Sequence, residues 1–111
     1  MAVQVKVLIP AKIAESSQTT QYTATNVTTI IDKFTATNYD TSARTISVNL
    51  VTALDTAGNN NLVIQSKTLL PSETYTFPEL VGHALAPGGY ISTIASAATA
   101  INIRSSGREI S

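Results

Sequence analysis

The stretch LLPSETYTFPELVGHALAPGGYISTIASAATAINIRSSGREI, Leu69–Ile110, carries the densest strand grammar in the chain. Runs of β-branched and aromatic residues at Thr74–Phe77, Tyr90–Ser96 and Ala100–Arg104 are separated by Pro, Gly and Ser turn signals. That is the pattern of short strands rather than of amphipathic helices. Tyr75 and Phe77 fall on one face by the two-residue strand period. One helical signal interrupts the series: Glu79–Leu85 predicts about two turns of helix, with Pro78 tolerated at its start and Ala86, Pro87, Gly88 and Gly89 ending it. Such a helix would cap one end of a sandwich. The tail Ser105–Ser111 either extends the last strand or lies free.

Upstream the grammar is the same. Val3, Val5, Val7 and Ile9 alternate with Gln4, Lys6 and Leu8, a strand closed by Pro10. Ala11–Thr20 carries neither stripe nor alternation and reads as a linker. Residues 1–16 are therefore expected to be an N-terminal strand and linker, an inter-subunit arm, and residues 17–111 the sandwich domain. Gln21–Asn38, rich in Thr with Tyr22, Val27, Ile30, Ile31 and Phe34, predicts two strands with a kink near Asn26. Asn38–Ser42 is a turn cluster. Thr45–Leu54 alternates with Ile46, Val48 and Leu50 inward, Asp55–Asn61 is a hairpin loop, and Leu62–Leu70 returns with Leu62 and Ile64 on one face and Val63, Gln65, Lys67 and Leu69 on the other. Roughly seven short strands with turn signals between them predict an all-β fold, an antiparallel β-sandwich of immunoglobulin-like type with one short capping helix. A jelly roll or small β-barrel is the alternative.

A chain of 111 residues suits one domain. Hydrophobic residues are 43% of it but aromatic residues only 5%, so Ile, Val, Leu and Ala must build the core. Seven basic residues balance seven acidic ones, which removes the electrostatic footprint of a protein that neutralises phosphates or docks on anionic lipid. Nucleic acid and membrane partners are not expected. A net charge near zero does little to keep copies apart, so permanent assembly fits better. The opening MAVQVKVLIPAK has neither a membrane-length apolar run nor an export signal, which points to a chain made in the cytosol or assembled there into a particle.

The chemistry narrows by elimination. Cysteine is absent and His83 is the only histidine. A thiolate site, a disulfide framework and a His pair on zinc are all excluded. His83 is read as a structural or interface residue. Asp32 lies in phase with Ile30 and Phe34 on a face expected to be buried, and it is read as a strand-end charge paired with Lys33, Lys67 or Arg104 rather than as a catalytic carboxylate. Glu73 and Glu79 flank Tyr75 and Phe77 without the broad aromatic cleft that a glycosidase needs. Gly88 and Gly89 follow Pro87 and precede no helix, the context of a tight turn rather than of a phosphate loop. Arg104 and Arg108 are solvated or meet carboxylates of a neighbouring subunit. No catalytic, cofactor-binding or metal-binding residue is assigned, no cofactor is expected, and an enzyme is the least favoured class.

The segments PSETYTFPELVGH at Pro71–His83, APGGYIS at Ala86–Ser92 and IRSSGREI at Ile103–Ile110 resemble small structural proteins of tailed bacteriophages. So do VLIPAK and SQTTQYTATN at Ser17–Asn26. The resemblance is one of wording and strand layout over nearly the whole chain. It implies a virion component assembled in the host cytoplasm, a homo-oligomer present in many copies. The implied role is a capsid decoration or cement protein that binds and stabilises the major capsid lattice, its N-terminal strand adding to a neighbour's sheet edge. A head-to-tail joining, neck or tail protein would use the same sandwich. A carbohydrate or host-surface binding module would need exposed aromatic platforms, for which only Tyr22, Tyr39, Tyr75, Tyr90, Phe34 and Phe77 are available.

Overall fold

Thr, Val and Ile suit a pleated, half-buried surface, and in the computed structural model, which describes residues 2–111, they recur along strands that make up nearly all of the regular structure. In chain order these are β1 (Val3–Ile13), β2 (Thr19–Thr23), β3 (Thr28–Asn38), β4 (Arg44–Val51), β5 (Leu62–Leu69), β6 (Thr74–Tyr75), β7 (Ala84–Leu85), β8 (Tyr90–Ala95) and β9 (Ile101–Ile110). A single 3-10 turn, Asn59–Asn61, interrupts the β4–β5 connection. The expected kink at Asn26 is present: the residue sits at φ 58° between β2 and β3. The tail extends β9 to Ile110.

Two antiparallel sheets pack face to face. One has the order β1-β9-β3-β6, with β7 also on β3, and the other β2-β8-β4-β5. If β6 and β7 count as one interrupted strand beside β3, eight strands remain, and seven connections join them. Six of these cross between the sheets and only β4–β5 is an in-sheet hairpin. This order is that of a jelly roll. It is the second arrangement left open by the sequence, and it differs from an immunoglobulin-like order, which keeps several neighbours hairpinned within one sheet. The distinction lies in which distant strands pair, β1 with β9 and β2 with β8, and periodicity within a strand carries no information about that.

The core lies between the sheets, around Ile9, Ile31, Phe34, Ile46, Leu69, Phe77, Leu80, Ile91, Ile101 and Ile103, all without solvent contact. Burying each is worth about 1.5–3 kcal/mol. Phe77 anchors one end, edge-to-face with Phe34 at 5.1 Å and with Tyr75 at 4.8 Å. Residues 2–16 pack against the chain's own sandwich. Val3–Ile13 forms the edge strand of the chain's own sheet, and Leu8, Ile9 and Ala14 belong to the common core. Beyond β1 the linker is pinned by the Ala14 amide on the Ile101 carbonyl (2.8 Å) and the Ala95 amide on the Glu15 carbonyl (2.9 Å).

The expected capping helix over Glu79–Leu85 is absent. The segment is a pair of turns followed by β7. Gly82 adopts φ 88°, its amide donates to the Ile31 carbonyl (2.7 Å), and the Ile31 amide donates to the His83 carbonyl (3.0 Å). Bonds to the side of β3 thus satisfy backbone groups that a helix would have paired internally, and Leu80 is drawn into the core.

Three bulges explain where strand phase departs from simple alternation. In β1 the register shifts between Val7 and Ile9, so adjacent Leu8 and Ile9 are both buried. In β3 it shifts between Ile31 and Lys33, leaving Asp32 as the extra residue. In β5 the extra residue lies near Ser66, at φ 46°, whose amide donates to the Ser47 hydroxyl (2.8 Å). Ile64 and Leu69 therefore both face inward rather than to opposite sides.

Candidate interaction surface

Strands β1, β9 and β3 carry the most distinctive surface of the molecule. The amides of Ala2 and Ser111 each donate to the other's carbonyl (3.0 and 2.9 Å), so Ala2 and every second residue after it turn their backbone groups toward β9. Val3, Val5 and Val7 consequently direct N–H and C=O to the open edge. Their side chains are 59, 81 and 41% exposed. Cross-strand register places Ile110 beside Val3 and Arg108 beside Val5, with Ile30 the next residue across from Arg108, so the apolar row runs along β1 and extends to Ile110, while Arg108 stands between Val5 and Ile30.

Arg108 is held in place. Its guanidinium donates from Nε and Nη2 to both oxygens of Asp32 at 2.9–3.2 Å. This is the partner of Asp32, in place of the expected Lys33, Lys67 or Arg104, because the bulge turns Asp32 out of the buried phase onto the outer face beside Arg108. On the inner face of the same strands, Lys6 bridges Glu109 at 3.3 Å, and the Tyr22 hydroxyl bonds both Glu109 and Thr29. Tyr22 and Lys6 hold the Glu109 carboxyl below the usual range, while burial, reinforced by Glu109, pushes the Tyr22 hydroxyl up to about 12. Two side-chain networks thus rigidify the strand end that bears the exposed valines.

The remaining sequence-selected residues are dispersed. His83 lines an open cleft of about 450 Å³ with Asn60, Asn61, Leu62 and Ala84, where an imidazole and two amides face mainly aliphatic and backbone atoms. Glu79 accepts from the Tyr75 hydroxyl (2.8 and 3.0 Å) and Glu73 from the Leu70 amide (2.7 Å). Each is engaged by its own loop, and the two do not form a pair across a cleft. Lys67 caps the Tyr75 ring at 4.4 Å. Gly88 sits at φ 88° with the Gly89 amide on the Ala86 carbonyl (2.8 Å), the tight turn expected after Pro87. A Cβ on Gly88 would lie 2.7 Å from that of Ala53. Among the described residues no group of three His, Asp or Glu side chains lies close enough to hold a metal ion, and no helix is long and apolar enough to cross a membrane.

By alternation Val3, Val5, Val7 and Ile9 share one strand face, but of the four only Ile9 is buried. The signal for this break is the adjacent pair Leu8 and Ile9, which cannot both face a core without a bulge between them. Comparison of the chain with protein-family models, with characterised proteins and with solved structures gave no match.

Proposed function

We propose that the protein is a non-enzymatic virion structural protein, a capsid decoration protein that binds the outer surface of a bacteriophage head lattice in many copies and is assembled there in the host cytoplasm. The observation that carries the reading is the exposed row Val3, Val5 and Val7 on a braced edge strand. Contiguous apolar side chains on a rigid sheet mark a surface that another protein covers. The resemblance of the Pro71–His83, Ala86–Ser92 and Ile103–Ile110 segments to phage structural proteins supplies the context, and the jelly-roll order supports it by analogy, since that architecture recurs in viral capsid proteins. The mechanism is cementing: a rigid sandwich lays its apolar face across lattice subunits, and many such contacts acting together resist internal pressure.

Co-sedimentation of the purified protein with heads that lack it, followed by imaging, tests the reading. Regular occupancy across the capsid faces is the expected result. Occupancy at a single vertex would move the role to the neck or tail, and failure to bind would remove the proposal. Val5→Lys, which places a cation in the centre of the row, is expected to abolish sedimentation with heads while leaving the circular dichroism spectrum unchanged.

A further inference from the structure

We infer that the edge of β1 is a self-pairing site, at which a second copy of this chain adds its own β1 antiparallel across a two-fold axis through Val5. The pairing belongs to the chain itself and does not depend on what the protein coats.

Only the N-terminal half of the β1 edge is open. Edge strands are ordinarily protected by proline, bulges and charge. In β1 these devices cluster in the C-terminal half, where Pro10 lacks a donor and the register shifts between Val7 and Ile9 and again between Ile9 and Lys12. Val3–Val7 is regular and unbulged, with one charge, Lys6. That charge points to the inner face, where Glu109 engages it.

Backbone geometry then limits the register. Only Val3, Val5 and Val7 turn N–H and C=O outward, so in an antiparallel ladder an odd-numbered residue must meet an odd-numbered one. A two-fold through Lys6 would set Lys6 against its own copy, a like-charge pair. A two-fold through Gln4 would leave Val7 without a valine opposite. A two-fold through Val5 sets Val3 against Val7, Val5 against Val5, and Lys6 against the uncharged Gln4. All three valines pair, and no like charges are opposed. The resulting sheet runs without interruption through both copies, and it joins the two apolar rows into one face.

The chain has no cysteine, which permits a direct test on the full-length protein in solution without any phage component. Cα atoms of a hydrogen-bonded antiparallel pair lie about 5.5 Å apart, inside the range a disulfide spans. Val5→Cys is therefore expected to form a covalent dimer on mild oxidation. Val63→Cys, at an exposed position on β5, should remain monomeric, and an equimolar mixture of Val3→Cys and Val7→Cys should cross-link to each other in preference to themselves. By sedimentation equilibrium the wild-type chain should show twice the chain mass. Val5→Pro, which removes only an outward N–H, and Val5→Lys should each halve that mass while keeping the wild-type circular dichroism spectrum. The inference is overturned if the wild-type chain remains monomeric at high concentration and Val5→Cys cross-links no faster than Val63→Cys. Cross-linking at position 5 alongside failure to bind heads would keep the self-pairing and reject the decoration role.

Discussion

Gly107 and Asn38 are the residues on which the local geometry depends most. Gly107 lies in the centre of β9, where a Cβ would meet the Ile30 carbonyl oxygen at 2.2 Å and Leu8 Cδ1 at 2.8 Å. The β3 bulge at Asp32 brings that carbonyl close, so the bulge and the glycine require each other. Gly107→Ala is expected to cost about 1–3 kcal/mol, as overpacking does, measurable as a shift in the denaturant midpoint. Asn38 is fully buried at the end of β3; it donates to the carbonyls of Ser42 (2.9 Å) and Leu69 (3.0 Å) and accepts from the Asp40 amide (2.9 Å). Asn38→Ala strands those partners at roughly 1–3 kcal/mol for each group left unsatisfied. By contrast Asp32→Asn breaks a half-exposed ion pair and should change stability by less than about 1 kcal/mol. The Tyr22–Glu109 contact sets the pH response. The Glu109 carboxyl is depressed, so its contribution is complete above the ordinary carboxylate value and fades as pH falls through its folded value. The Tyr22 hydroxyl is raised to about 12, so its contribution is complete below the ordinary tyrosine value of 10.0 and is lost as pH climbs toward 12. The melting temperature should stay flat between about pH 5 and about pH 10 and fall on either side. Tyr22→Phe should remove the Tyr22 part of the alkaline fall and raise the Glu109 midpoint in a carboxyl NMR titration.

At the scale of elements, β1 has two halves with different tasks. Val3–Val7 is an exposed edge segment, whereas Leu8, Ile9 and Ala14 fill the core. Truncation of residues 2–7 should leave a cooperative fold with a modest loss of stability. Truncation through residue 14 removes three core side chains and should cost several kcal/mol, at about 2–5 kcal/mol for each large one; urea melts of the two truncations separate these outcomes. Most strand spans were legible because alternation and turn residues are local: β3 and the Asn26 kink, the β4–β5 hairpin, β8 and the Ala86–Gly89 turn fall where the sequence places them, while β2 begins at Thr19, inside the segment read as a linker. What misled was local as well. Pro78 followed by Glu79–Leu85 has a helix's punctuation, yet the segment finds its hydrogen bonds on β3, and that competition is decided by a neighbour more than forty residues away in the chain.

For the molecule as a whole, the pairings that close the sandwich join the ends of the chain, β1 to β9 and β2 to β8, while only β4–β5 is a hairpin. Loop closure must precede the reward from such contacts, so folding is expected on the millisecond-to-second scale of high-contact-order β proteins, a range that stopped-flow refolding covers. By itself the sequence determined the class of fold, its antiparallel strands, most turn positions and an aliphatic core, because these follow from residue type and a period of two. It also limited the site chemistry to a single histidine and no thiol. Only the tertiary structure decided the jelly-roll order, the exposure of Val3, Val5 and Val7, and the partner of Asp32. Strand order depends on which distant edges meet, and a single bulged residue reverses the facing of every side chain beyond it.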